Sequence, residues 1–215
     1  MEFVYVVPRE KLFPEYYPQG LLAFGDDFVQ EDFEGAIARH GFFCERDYAE
    51  RTPSLKQVIP YCVTICDGKV LVLKRLEKGG EKRLHGKLSI GVGGHINPED
   101  VGAGSDDSVG HSANVLEEGS RRELTEELHI EGTVDVRRYG VINDDSNAVG
   151  AVHVGVVQVV AVEGTVAIRE LDQLEGQWIA PQDLQRMTEK NANFETWSQH
   201  IIEQLGSVLL APVTA

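Results

Sequence analysis

The sequence is short of positive charge: 20 Lys and Arg stand against 35 Asp and Glu, a formal charge of −15 over 215 residues. A polyanion repels phosphodiester backbones and anionic lipid surfaces, which argues against a nucleic-acid polymer or a membrane as partner. Long apolar runs are also missing. None approaches the roughly 20 residues needed to span a bilayer, and Met1 to Gly20 lacks the basic start and apolar stretch of a secretory leader. The three cysteines, Cys44, Cys62 and Cys66, are odd in number and in no metal-ligand spacing. With Cys62 and Cys66 inside an apolar run, they read as core thiols of a reduced, cytoplasmic compartment. No internal repeat is present.

What is present is ordinary in bulk. A hydrophobic content of 42% with 26% charged residues describes a globular chain whose acidity is added to a normal core. The length suits one domain, with residues 1–55 as an N-terminal elaboration packed on a domain over 56–215. The charge is unevenly spread. Residues 68–98 hold seven bases (Lys69, Lys74, Arg75, Lys78, Lys82, Arg83, Lys87) and only Glu77 and Glu81 as acids, whereas residues 99–145 hold thirteen acids and four bases. Two solvated faces are one reading, and a cationic wall beside an anionic, metal-collecting one is the other.

The runs 58–66 and 69–76 predict two strands joined by a tight hairpin, because Asp67-Gly68 supplies the positive φ angles of a primed turn. Residues 87–96 predict a strand ending in paired glycines. Further strands are expected at 134–141, at 149–162 (buried on both faces) and at 177–180. Helices are expected over 115–129, with Asn114 as N-cap and Glu117 completing a capping box, over 182–189, and over 194–210. Residues 97–113, rich in Gly, Ser and Asp, read as an exposed loop insertion with no element of its own. Mixed strands around one strong internal helix point to an α/β or α+β sandwich.

The chemistry gathers on that helix. Glu123, Glu126 and Glu127 stand at i, i+3 and i+4, so three carboxylates project from one face and repel one another. A hard divalent cation with oxygen ligands offsets such repulsion. Upstream, Gly93-Gly94 closes a strand, where glycine lets a backbone atom approach a ligand closely.

Gly93-Gly94 followed by Arg122-Glu123-Leu124-x-Glu126-Glu127 and Ile130 resembles the Nudix hydrolase family. That family's signature runs from a glycine through five residues to a glutamate, then through seven residues to Arg-Glu-apolar-x-Glu-Glu-x-Gly-apolar. The runs Gln57 to Tyr61 and Glu81 to Asn97 are similar to a bacterial subgroup described as predicted phosphoesterases. The resemblance implies an α/β/α sandwich with a mixed sheet, dependence on Mg²⁺ or Mn²⁺, and hydrolysis of a diphosphate linkage in a nucleoside diphosphate derivative or related small phosphorylated metabolite. It implies Glu123, Glu126 and Glu127 as metal ligands with a Gly93 or Gly94 carbonyl. Arg122 would pair with a helix glutamate to orient it, and Glu126 or Glu127 would serve as general base, with His95 and His153 as alternatives. Arg75, Lys82, Arg83 and Lys87 could receive substrate phosphates.

The pattern departs in places. Counting back eight from Arg122 lands on Asn114 where the signature has glutamate, so that carboxylate is either lost or supplied by Asp106, Asp107 or Glu117. His129 replaces the last glycine. Near the C-terminus, where some members carry a glutamate before a Trp, Gln177 precedes Trp178 and Glu175 lies two residues earlier. The missing glutamate keeps open a non-catalytic nucleotide- or metabolite-binding module, and the shared fold keeps open an isoprenyl diphosphate isomerase. The 97–113 loop and residues 1–55 are the expected sources of specificity. The apolar tail Val208 to Val213 is suited to a homodimer contact.

Overall fold

The fold comes from a computed structural model that describes residues 1–76, 86–101, 115–169 and 171–210. In chain order the elements are β1 (Phe3–Pro8), α1 (Arg9–Leu12), β2 (Gly20–Ala23), α2 (Gln30–His40), β3 (Phe42–Glu45), α3 (Arg46–Ala49), β4 (Leu55–Cys66) and β5 (Lys69–Arg75). They continue with β6 (Leu88–Ser89), β7 (Gly91–Gly93), α4 (Val115–Glu127), β8 (Leu128–Asn143), β9 (His153–Ile168), β10 (Leu174–Ile179), α5 (Pro181–Glu189), α6 (Thr196–Glu203) and α7 (Leu205–Leu210). The strands hydrogen-bond in the order β10-β5-β4-β9-β8-β2, with β1 and β7 on β4, β3 on β1, and β6 on β5. This is an open mixed sheet of α+β class. Two compact units are distinguished: Met1–Tyr61 with Gly93–Arg122 and Gly140–Val157, and Cys62–Val92 with Glu123–Tyr139 and Gln158–Ala215.

In the first unit, β1 reads as an almost unbroken apolar run because both of its faces are covered. Tyr5 and Val7 join Phe33, Ile37, Val58, Ile96 and Val154 in one cluster, while the alternate residues Val4 and Val6 pack against Ala49 and Leu55 in another. β1 is antiparallel to β3 (Val4↔Cys44) and to β4 (Val6↔Gln57), so the first 55 residues share a sheet with the strand that follows them. Phe13, Phe24 and Phe28 surround Phe33 with ring centroids 5.4–6.2 Å apart, in tilted geometries. The expected strand at 149–162 starts only at His153, because Gly150–Val152 forms a 3₁₀ turn.

In the second unit, Asp67 and Gly68 take φ of 48° and 70°, the pair of positive angles expected for the hairpin. β5 then pairs with β10 (Leu71↔Trp178) and β6 (Leu73↔Ser89). Cys62, Cys66, Leu71, Leu73, Val92, Leu128, Val160 and Val162 form the core. Cys62 and Cys66 are buried thiols, joined in no disulfide.

Three expectations are corrected. The strand over 87–96 is interrupted at Ile90, whose backbone N–H donates to Ser198 Oγ (3.0 Å) instead of to a neighbouring strand. The helix over 194–210 breaks at Gln204, whose N–H closes a three-residue turn on Ile201 O. The segment 97–113 is not wholly an exposed loop: Pro98–Asp100 is a 3₁₀ turn with Asp100 only 4% exposed. Residues 102–114, including Asn114 and its capping box, lie outside the described residues. Val208 is fully buried and so cannot belong to an exposed dimer surface, and residues 211–213 of that tail also lie outside the description.

Candidate active site

Helix α4 ends at Glu127 and the chain enters β8 at once, so Leu128 and His129 stand on a strand and not in the helix. Leu124 packs beside Leu128 in the second unit's core, which fixes the rotation of this half of the helix. Glu123 is half-buried, Glu126 exposed and Glu127 only 6% exposed. The helix exit is held from outside: Arg169 donates from its backbone N to Glu127 O (2.8 Å) and from Nε to Leu128 O (3.1 Å). These bonds satisfy carbonyls that the helix end leaves open, a task that needs no glycine at 129.

The carboxylates of Glu126 and Glu127 lie in the last turn, at the negative end of the helix dipole, and no basic residue stands in that turn. One of the two is buried. Their mutual repulsion and the dipole act in the same direction, and a divalent cation would offset both. The donor set, three carboxylates at i, i+3 and i+4, is all oxygen and fits Mg²⁺ or Mn²⁺ better than a softer ion.

At the other end of the motif, Gly93 closes β7, and a Cβ there would fall well inside 3.0 Å of Pro60 O on β4. Only glycine permits this approach. The chain beyond is pinned at four points. Tyr5 N donates to Ile96 O (3.0 Å), Asn97 N to Asp100 Oδ2 (2.8 Å), Arg122 Nη2 to His95 O (2.7 Å), and Arg122 Nε and Nη2 to Asp100 Oδ1 and Oδ2 (2.8 and 2.9 Å). The Asp100 and Arg122 side chains are 3% and 18% exposed, a buried two-pronged ion pair. Helix α4 meets this segment at Gly119, where a Cβ would lie 3.0 Å from Ile96 Cγ1.

Asp100 is the residue that sequence reasoning missed. Passing over five residues from Gly94, His95 to Glu99, reaches Asp100, whereas counting back from Arg122 reached Asn114; the insertion therefore follows the signature's acidic position instead of preceding it. Aspartate stands where the signature has glutamate, and its carboxylate meets the signature arginine.

His95 and His153 approach each other with Nε2 atoms 3.2 Å apart. His153, 5% exposed, has Nδ1 2.6 Å from Val149 O. The remaining sequence candidates are scattered. Glu175 is exposed and ion-paired with Lys74 (3.6 Å), its cross-strand neighbour on β5, and Gln177 is exposed too. Lys87 is half-buried, Arg75 ends β5, and Lys82, Arg83, Asp106 and Asp107 lie outside the described residues. Among the described residues, no helix is long and apolar enough to cross a membrane.

No protein-family model matches the chain. It is 35% identical over 208 residues to Protein YmaB of Bacillus subtilis (strain 168), covering 95% of this chain and 97% of that one. Among solved structures it is similar to Tm1382, a candidate Nudix hydrolase, at 28% identity and a TM-score of 0.77, covering 96% of this chain and 100% of the other. A Nudix hydrolase from Alicyclobacillus acidocaldarius, 14% identical with a TM-score of 0.51, shares the fold over 74% of this chain and 98% of its own. With the glutamate helix, the glycine turn and the Asp100–Arg122 pair in place, these likenesses show that the chain belongs to the Nudix hydrolase family.

Proposed function

We propose that the protein is a Mg²⁺- or Mn²⁺-dependent hydrolase that cleaves the diphosphate linkage of a nucleoside diphosphate derivative or a related small phosphorylated metabolite. The observation that carries this reading is the set of three carboxylates on the C-terminal half of α4, one of them buried, in a chain of this family. Glu123, Glu126 and Glu127 would hold the ion. When bound, it lowers the pKa of water and neutralises charge developing on phosphate oxygens.

The chain's own residues do the rest. Arg122 is a positioning residue: its guanidinium ties Asp100 and the His95 carbonyl to α4, so the backbone after Gly93-Gly94 keeps one conformation. Glu126, the most exposed of the three glutamates, is the first choice to take the proton from the attacking water, with Glu127 second. Lys87 and Arg75 are candidates for the substrate's phosphates.

The reading as a non-catalytic module rested on a missing signature carboxylate. Asp100 occupies that spacing, which removes the reason for preferring it. The proposal is tested by phosphate or monophosphate release from nucleoside diphosphate sugars, dinucleoside polyphosphates, oxidised nucleotides and NADH. Cleavage that persists after metal chelation, or wild-type rates in both folded Glu126→Gln and Glu127→Gln, would overturn it.

A further inference from the structure

We propose that Glu50, His95 and His153 form a second metal site, of imidazole and carboxylate donors, that binds a zinc-type ion in preference to magnesium. The three residues come from the end of α3, the segment after β7 and the start of β9, all within one compact unit. Their ligand atoms lie within 4.8 Å of one another.

The spacing of the two imidazoles fits. Two nitrogens bound to a tetrahedral zinc at about 2.0–2.1 Å stand about 3.3 Å apart, and here the Nε2 atoms are 3.2 Å apart. The tautomer of His153 is set by its other nitrogen. Val149 O can only accept, so Nδ1 carries the proton, and the Nε2 lone pair points toward His95. A backbone carbonyl holding the outer N–H of an imidazole is the arrangement that orients histidine ligands and raises their basicity. In the metal-free protein, His95 Nε2–H donates to that lone pair. On binding, the His95 proton moves to Nδ1, and two lone pairs and a carboxylate oxygen face the ion with a fourth position left for water.

The ligands sit on constrained backbone. His95 is held through its carbonyl by Arg122 (2.7 Å), and Glu50 N donates to Arg46 O (2.9 Å). His153 is buried. Arg46 is a cation that competes for Glu50, with Nε 3.7 Å from Oε1 at a site where both side chains keep some water contact. That pair is long and weak enough to yield to a divalent ion. Two nitrogens and one carboxylate suit zinc and its neighbours in the divalent series, whereas magnesium prefers oxygen and retains its waters. This site uses none of the α4 glutamates, and its readout is metal binding, not hydrolysis.

The test uses untagged, full-length, metal-stripped protein titrated calorimetrically with Zn²⁺ in excess Mg²⁺, and with Co²⁺ followed by visible absorption. One equivalent of Zn²⁺ should bind with a sub-micromolar Kd. His95→Gln and His153→Gln should each weaken binding by about 100-fold or more, and Glu50→Gln by about 10-fold, while His40→Ala and His129→Ala leave it unchanged. X-ray absorption at the zinc edge on wild-type protein needs no variant and should show two imidazoles at about 2.0 Å. Absence of zinc binding in excess Mg²⁺, unaltered affinity in folded His95→Gln and His153→Gln, or an absorption spectrum without imidazole scattering would each overturn the proposal.

Discussion

The Asp100–Arg122 pair invites a double-mutant cycle. Both side chains are withdrawn from water, to 3% and 18% exposure, and the guanidinium meets the carboxylate with two bonds of 2.8 and 2.9 Å. Removing one member of a buried pair leaves the other charged and uncompensated, at a cost of about 3–5 kcal/mol. Asp100→Ala also strips the acceptor from Asn97 N, which adds about 1 kcal/mol. Arg122→Ala frees the His95 carbonyl in addition to Asp100. Arg122→Ala should therefore lose roughly 3–5 kcal/mol, and Asp100→Ala roughly 4–6 kcal/mol, in urea unfolding followed by Trp fluorescence. The double variant should lose less than the sum by about 2–3 kcal/mol, the strength of a charge-assisted, two-pronged bond. Asp100→Asn, which keeps the shape and one acceptor, should fall between. Because the pair is buried, the coupling should change little with added salt. A coupling below about 0.5 kcal/mol would show that the two residues act independently and would refute the reasoning.

Three further outcomes follow from single contacts. Gly93→Ala drives a Cβ into Pro60 O, a backbone atom that cannot rotate away, and should cost about 1–3 kcal/mol by thermal or urea unfolding; an unchanged midpoint contradicts the close approach. Ser198→Ala leaves the buried Ile90 N–H without its acceptor and should cost about 1–3 kcal/mol, seen also as faster hydrogen exchange at Ile90. Lys56, wholly buried, donates to Asp145 (2.7 Å), Gly150 O and Ala151 O, so Lys56→Met should lose about 3 kcal/mol, the low end for a broken buried pair because Asp145 keeps access to water. Burial holds the Lys56 ammonium below its unfolded value of 10.5, with Asp145 pulling the other way. Between the lowered value and 10.5 the unfolded chain binds more protons, so the Lys56 contribution rises with pH there. The stability gap between wild type and Lys56→Met should widen through that alkaline window, and a flat or narrowing gap contradicts it.

Local rules made much of this molecule legible. Two apolar runs flanking Asp67-Gly68 located the β4–β5 hairpin, and the i, i+3, i+4 spacing placed the three glutamates on one helix. What stayed hidden depended on partners far along the chain. Ile90 breaks its strand because of a hydroxyl 108 residues away, and His95 finds His153 across 58 residues. Asp100 was within reach of a forward count from Gly94, yet its identity as the arginine's partner emerges only when the chain folds back 22 residues to α4. The insertion made the two ends of the signature disagree, and the ion pair shows which end to count from. The basic segment read as a cationic wall is only partly described, and its Lys74 pairs with Glu175.

The most direct test is steady-state hydrolysis of the diphosphate panel by metal-stripped protein, with Mg²⁺ or Mn²⁺ restored, comparing wild type with folded Glu126→Gln and Glu127→Gln. Metal-dependent release of phosphate or monophosphate is expected from wild type, lowered by about 10²–10⁴-fold in at least one variant, the range for losing a positioned general base. No release from any panel member with either metal, or release indifferent to metal and to both substitutions, would contradict a hydrolase built on the α4 glutamates.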